Sequence, residues 1–92
     1  MLGKLELYRI FCQVAKDSSF SQAAKNLYLS QPAVSQSVKQ LEEQLGVQLF
    51  TRGAKGVSLT QQGKLLYEYA DSAMGLLSSA EQKLVSMKEL TV

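Results

Sequence analysis

The 92-residue sequence contains no histidine and a single cysteine, Cys12. A zinc site of the usual Cys/His type cannot be assembled from one such chain. Nucleophile pairs of the Ser–His or Cys–His type are excluded as well. Carboxylate or lysine catalysis stays open in principle, but no pair of such residues is set in an apolar context that would tune it. One thiol rules out an intramolecular disulfide framework and points to a reducing, cytoplasmic setting. No apolar run approaches the roughly 20 residues of a membrane span. The start, Met1-Leu2-Gly3-Lys4, lacks the apolar stretch of a signal peptide. The expectation is a chain without cofactor, metal site or membrane contact.

What is present is an ordinary soluble composition, 46% apolar and 20% charged. A domain of this length buries only about 60–65% of its unfolded surface, so a partner subunit would help it. The net charge of +2 says little, but its distribution says more. Through Leu59 there are seven basic residues against four acidic ones, and beyond it three against four. Two windows, Ser18 to Leu41 and Gln44 to Tyr67, carry no acid at all. A polyanion is repelled least there, although chance spacing in a lightly charged chain gives the same pattern.

Apolar periodicity predicts a first helix over Lys4–Lys16, with Leu7, Phe11, Val14 and Ala15 inward and Leu5, Tyr8 and Cys12 widening that face. Cys12 reads as a small buried hydrophobe; a reactive thiol is the alternative. Ser19-Phe20-Ser21-Gln22 fits an S-x-x-Q capping box opening a short helix with Ala23, Ala24 and Leu27. Tyr28-Leu29 form the turn out. Ser30 caps a third helix, with Pro32 in its first turn and Gly46 as its stop. Val34, Val38, Leu41 and Leu45 face inward, while Pro32, Gln36, Lys39, Gln40 and Glu43 lie opposite. Two short helices joined by a brief turn are a helix-turn-helix candidate, with any small three-helix bundle as the alternative.

After Gly46 the period changes from helical to alternating. Val47–Arg52 reads as a strand, Val57–Leu59 as its partner, and Gly53-Ala54-Lys55-Gly56 as the tip. Arg52 and Lys55 at that tip make it a candidate wing; a solvated turn with incidental charges is the other reading. Thr60 then caps a proline-free helix running to about Met87. Leu66, Ala70, Ala73, Leu77, Ala80, Leu84 and Met87 follow a four-three spacing, the seam of helices that pair lengthwise. A single chain has no second long helix to cover the seam, so homodimerisation is expected. Packing of the Leu66 end on the first helix is compatible with it. The expected fold is mainly α: a winged helix-turn-helix of three short helices and a two-stranded wing over 1–59, and a dimerising linker helix over 60–92.

The ordered set Ser19-Phe20-Ser21-Gln22-Ala23-Ala24, Leu27, Ser30-Gln31-Pro32-Ala33-Val34-Ser35, Leu41-Glu42-Glu43-Gln44-Leu45-Gly46-Val47, Leu49-Phe50-Thr51-Arg52 and Val57-Ser58-Leu59-Thr60-Gln61-Gln62-Gly63 resembles the N-terminal domain of LysR-type transcriptional regulators. The match runs from Leu5 into the long helix. It implies a bacterial, sequence-specific regulator of transcription whose partners are double-stranded DNA and a second copy of itself. Family members carry a larger effector-binding domain after the linker helix, and this sequence stops at Leu90-Thr91-Val92, as an excised fragment would. The resemblance places DNA contacts on Gln31, Pro32, Ser35, Gln36 and Lys39, phosphate approaches at Ser21 and Ser30, and wing contacts at Arg52 and Lys55. Gln36 and Lys55 stand where the family often has arginine. Gln36 shifts the base preference, and lysine lacks the planar fork of arginine.

Physical chemistry agrees with those assignments. The major groove alone distinguishes all four base pairs, and an outward glutamine amide matches adenine N6 and N7. Pro32 offers an apolar surface to a thymine methyl, and Lys39 reaches a guanine or a phosphate. Glu43, two turns beyond Gln36, lies about 10 Å farther from the groove floor. A protein-binding dimerisation module and an enzyme are the competing classes. Binding to DNA that weakens steeply with salt separates the first of these from a regulator.

Overall fold

The computed structural model of the chain describes residues 3–90, and hydroxyl caps open three of the four helices among them. The elements are α1 (Lys4–Asp17), α2 (Phe20–Leu27), α3 (Gln31–Leu45), β1 (Phe50–Gly53), β2 (Gly56–Leu59) and α4 (Gln61–Leu90). The outer limits of the two expected segments, residues 1–2 and 91–92, lie outside the described residues. Ser19 Oγ accepts from the Gln22 N–H at 3.0 Å, Ser30 Oγ from Ala33 at 3.2 Å, and Thr60 Oγ1 from Gly63 at 2.9 Å. Each satisfies a donor that a helix start leaves without an intrahelical partner. The reciprocal half of the capping box is not made. Gln22 donates instead to Asn26 Oδ1, and both Asn26 and Gln13 donate to the Asp17 carboxylate, tying the end of α1 to α2. Gly46 ends α3 at φ 71°, a left-handed conformation that glycine adopts without steric cost.

The core lies between α1, α2 and α3, closed below by the residues that lead into the hairpin. Leu7, Ile10, Phe11, Val14, Val34, Leu41 and Leu49 are fully buried. Two details differ from the periodicity. Ile10 belongs to the core and Leu5 is exposed, because α1 turns its Leu7–Ile10–Val14 side inward rather than its Leu5–Cys12 side. Leu45 is also exposed: α3 outruns the core by one turn. Ser37 is buried in α3, and its hydroxyl donates to the Ala33 carbonyl at 2.8 Å.

The first strand is shorter than expected. Residues 47–49 do not pair in the sheet, because their polar groups are held elsewhere. The Glu42 carboxylate accepts from the Leu49 N–H at 2.7 Å and the Phe50 N–H at 3.4 Å. The Leu49 carbonyl accepts from the Thr60 N–H at 2.9 Å, and the Thr60 hydroxyl donates to the Gln48 carbonyl at 2.6 Å. The antiparallel hairpin pairs Phe50 with Leu59, Thr51 with Ser58, Arg52 with Val57 and Gly53 with Gly56. Its tip is therefore Ala54-Lys55, and Arg52 stands one pair below it rather than at it.

Helix α4 has 30 residues, about 45 Å, and gives the molecule its 54 × 27 × 25 Å shape. Its first turn packs so closely that a Cβ on Gly63 would collide with the Leu49 carbonyl oxygen. Tyr67 meets Phe11 edge-on at 6.4 Å. The expected seam divides here. Ala70 is buried and Leu66 half-buried in the chain's own fold, so these two pack against α1 and the core. Ala73, Leu77, Ala80, Leu84 and Met87 are exposed. So are Leu65, Tyr69 and Leu76, which the four-three spacing omits. At 100° per residue, Leu65, Tyr69, Ala73, Leu76, Ala80 and Met87 share an arc of about 80°, with Leu84 and Leu77 at its edge. This open arc is turned about 100° from the face that Leu66, Ala70 and Met74 present to α1. The whole is a winged helix-turn-helix followed by one long helix.

Candidate nucleic-acid interface

The side chains expected to touch DNA fall in three places. Pro32, Ser35, Gln36 and Lys39 lie along the outer face of α3 and share one groove with Arg52 of β1, floored by Phe20, Val38 and Phe50. Pro32, Gln36, Lys39 and Arg52 are exposed, and Ser35 is half-buried. The groove thus joins the outer face of one helix to one side of the hairpin. Ser21, Ser30 and Gln31 are exposed at the starts of α2 and α3, outside this groove. Ser21 Oγ is 3.2 Å from Ser19 Oγ. Lys55 sits apart from Arg52, exposed at the hairpin tip.

Charge in the groove is set by Lys39 and Arg52 against Glu42 and Glu43. Glu42 is occupied with the Leu49 and Phe50 amides, so its charge is spread over backbone donors and serves the corner between α3 and β1. Glu43 is exposed. The Arg52 guanidinium carbon lies 4.4 Å from the centroid of the Phe20 ring. Phe20 in turn meets Phe50 nearly edge-on at 5.7 Å, and Phe50 lies 5.4 Å from Phe11. A row of three buried rings therefore ends beneath the one arginine of the groove.

Glu42 and Phe20 are the residues to which sequence reasoning gave no role at the site. Each acts through a partner distant in the chain, and neither contact leaves a periodic signal. Cys12 is half-buried rather than buried, at the α1–α4 groove with Asp71 and Met74. Burial, and then the nearby Asp71 charge, push its thiol up to about 11, so it stays protonated and weakly nucleophilic near neutral pH. Among the described residues no group of three or more Cys, Asp or Glu side chains is placed to hold a metal ion. No helix among them is long and apolar enough to cross a membrane.

Comparison with known proteins agrees with this architecture. The chain is 42% identical over 84 residues to the RuBisCO operon transcriptional regulator of Allochromatium vinosum, covering 91% of this chain and 28% of that protein. It is 42% identical over 80 residues to the HTH-type transcriptional regulator BudR of Klebsiella aerogenes, covering 87% of this chain and 56% of BudR. The chain thus spans between about a quarter and just over half of the length of such relatives. Among solved structures it resembles the BenM DBD in a complex with catB site 1 DNA, with 36% identity and a TM-score of 0.78 over 98% of this chain and 97% of that one. Vibrio fischeri DarR in complex with DNA matches with 29% identity and a TM-score of 0.79, over 98% of this chain and 31% of that one. Residues 5–64 match the family described as bacterial regulatory helix-turn-helix protein, lysR family. The chain belongs to the LysR family of bacterial transcriptional regulators, of which it contains the winged helix-turn-helix.

Proposed function

We propose that this chain is the DNA-reading part of a cytoplasmic transcriptional regulator, not an enzyme, and that it binds an inverted-repeat operator as a homodimer. Residues 1–59 form the reading head and residues 60–92 the helix that pairs two copies. Helix α3 enters the major groove with Gln31, Pro32, Ser35, Gln36 and Lys39 foremost. The hairpin lies on the adjacent backbone or minor groove through Arg52 and Lys55, and Ser21 and Ser30 approach phosphates at the helix starts.

The observation that carries this reading is the shared groove, in which the outward face of α3 and the arginine of the hairpin converge on one side of the head. The likeness to a BenM DBD that was solved with DNA supports it. Pairing is supported by the open apolar arc on α4, a stripe several turns long that a soluble monomer rarely leaves exposed. Two-fold pairing of two such heads dictates an inverted repeat, with half-sites about 34–36 Å apart or a multiple of that.

Selection of bound sites from random duplexes by the 92-residue chain tests the reading. The expected outcome is a two-fold repeat bound with an affinity that falls steeply with salt. Arg52→Ala is expected to weaken all sequences about equally and to lower the salt slope by about 1. Selected pools without two-fold character, with binding indifferent to salt, overturn it.

A further inference from the structure

We infer that Phe20 is a positioning residue for DNA binding: its ring holds the Arg52 guanidinium in place while setting no acceptor against the N–H fork that a phosphate needs. The inference rests on the DNA-binding reading and assigns to a core aromatic a part in it.

Arg52 is exposed on β1, on a long side chain that loses much rotamer freedom when a phosphate fixes it. Proteins commonly restrain such a side chain with a carboxylate. A carboxylate cancels the charge and occupies the same N–H fork that a phosphate needs. Here the restraint is of another kind. Among the described residues the Arg52 guanidinium forms no ion pair or hydrogen bond, and it lies over the face of Phe20, at 4.4 Å. An aromatic face attracts a cation through its quadrupole and sets no oxygen acceptor against the N–H fork. The fork is therefore taken up by no hydrogen-bond acceptor among the described residues, and the charge is not cancelled.

The ring itself has little freedom. Phe20 is 6% exposed, and Phe50 packs against it at 5.7 Å with the planes at 67°. Phe50 rests in turn on the fully buried Phe11. The platform under Arg52 is thus part of the core, and the guanidinium inherits its rigidity. Phe20 is also the first residue of α2, directly after the Ser19 cap and before the exposed Ser21. The ring therefore brings the hairpin arginine to the start of α2, where backbone donors favour an anion.

The test is a double-mutant cycle on DNA affinity, backed by a measurement on the free protein. Phe20→Leu is expected to weaken binding about two- to fivefold when Arg52 is present, the worth of an exposed cation–π contact. In an Arg52→Ala background it is expected to change affinity little. Phe20→Tyr, which keeps the ring face, is expected to restore wild-type affinity. Where Phe20→Leu fails to fold, Phe20→Met repeats the cycle with a flexible apolar side chain. In the free protein the Arg52 Hδ protons are expected to show an upfield ring-current shift that Phe20→Leu or Phe20→Met removes. An equal affinity loss in both backgrounds overturns the inference and leaves Phe20 as core alone. Arg52 Hδ shifts at random-coil values overturn it too. Wild-type protein that binds no DNA refutes the proposed function instead, and the ring-current result stands apart from that outcome.

Discussion

Gln36 is exposed one turn beyond Pro32 in the groove, and its amide makes no hydrogen bond among the described residues. Gln36→Ala is therefore expected to relax preference at one position of each half-site, by about 1–3 kcal/mol, while non-specific binding is nearly unchanged. Competition assays with single-base operator variants read this directly; a uniform loss across all variants would make Gln36 a positioning residue. Glu42 illustrates the opposite case, a charged residue in the groove whose work is structural. Glu42→Ala strips the Leu49 and Phe50 amides of their acceptor. The expected cost is about 1–3 kcal/mol of folding stability, measured by urea denaturation. Residues whose roles are local were legible before the fold was known: Ser30, Thr60 and Gly46 announce helix ends by chemistry that acts over three or four positions. Glu42 and Phe20 were not, since a carboxylate on a helix and an aromatic beside a cap read alike whether or not a distant partner meets them.

At the scale of elements, α4 shows how a heptad pattern and the exposed apolar face of a helix part company. A straight helix of 3.6 residues per turn drifts about 20° for every seven residues. One row of a strict four-three series, Leu66 to Met87, therefore turns by about 60°, while Leu84, about five turns on from Leu66, stays on its face. Leu66 and Ala70, at its start, face the chain's own α1, whereas Ala80 and Met87, at its end, lie on the open side. Leu65, Tyr69 and Leu76 fall outside the series yet complete the exposed arc. The joint that sets this rotation is Gly63. Gly63→Ala puts a methyl group into the Leu49 carbonyl, which is backbone and cannot swing aside. The expected loss is about 1–3 kcal/mol, or roughly 4–8 °C in Tm for each kcal/mol in a domain of this size. A Gly63→Ala chain that melts as the wild type does would show that α4 can tilt off the hairpin at no cost.

For the whole molecule, the proposed pairing is put to the test on the open arc of α4. Leu76 is 72% exposed at its middle. Leu76→Asp is expected to leave the fold intact, because the side chain touches none of the core. In a dimer it would place an unpaired charge on each side of an apolar interface. Sedimentation at micromolar concentration is expected to give a monomer, with most of the affinity for a full operator lost and weak half-site binding retained. A Leu76→Asp chain that still sediments as a dimer would move the interface elsewhere. Fold and interface meet in one further place. The fully buried Leu49 gives its N–H to Glu42 of α3 and its carbonyl to Thr60 at the start of α4, and Gly63 rests on that same carbonyl. Two helices, α3 and α4, are thus keyed to a single residue where the shaft enters the head. A rigid arm of about 45 Å converts a sideways step of about 4 Å at its far end into a turn of about 5° at the head. In the proposed complex, whatever grips the distal end of α4 therefore steers the angle at which α3 would meet the double helix.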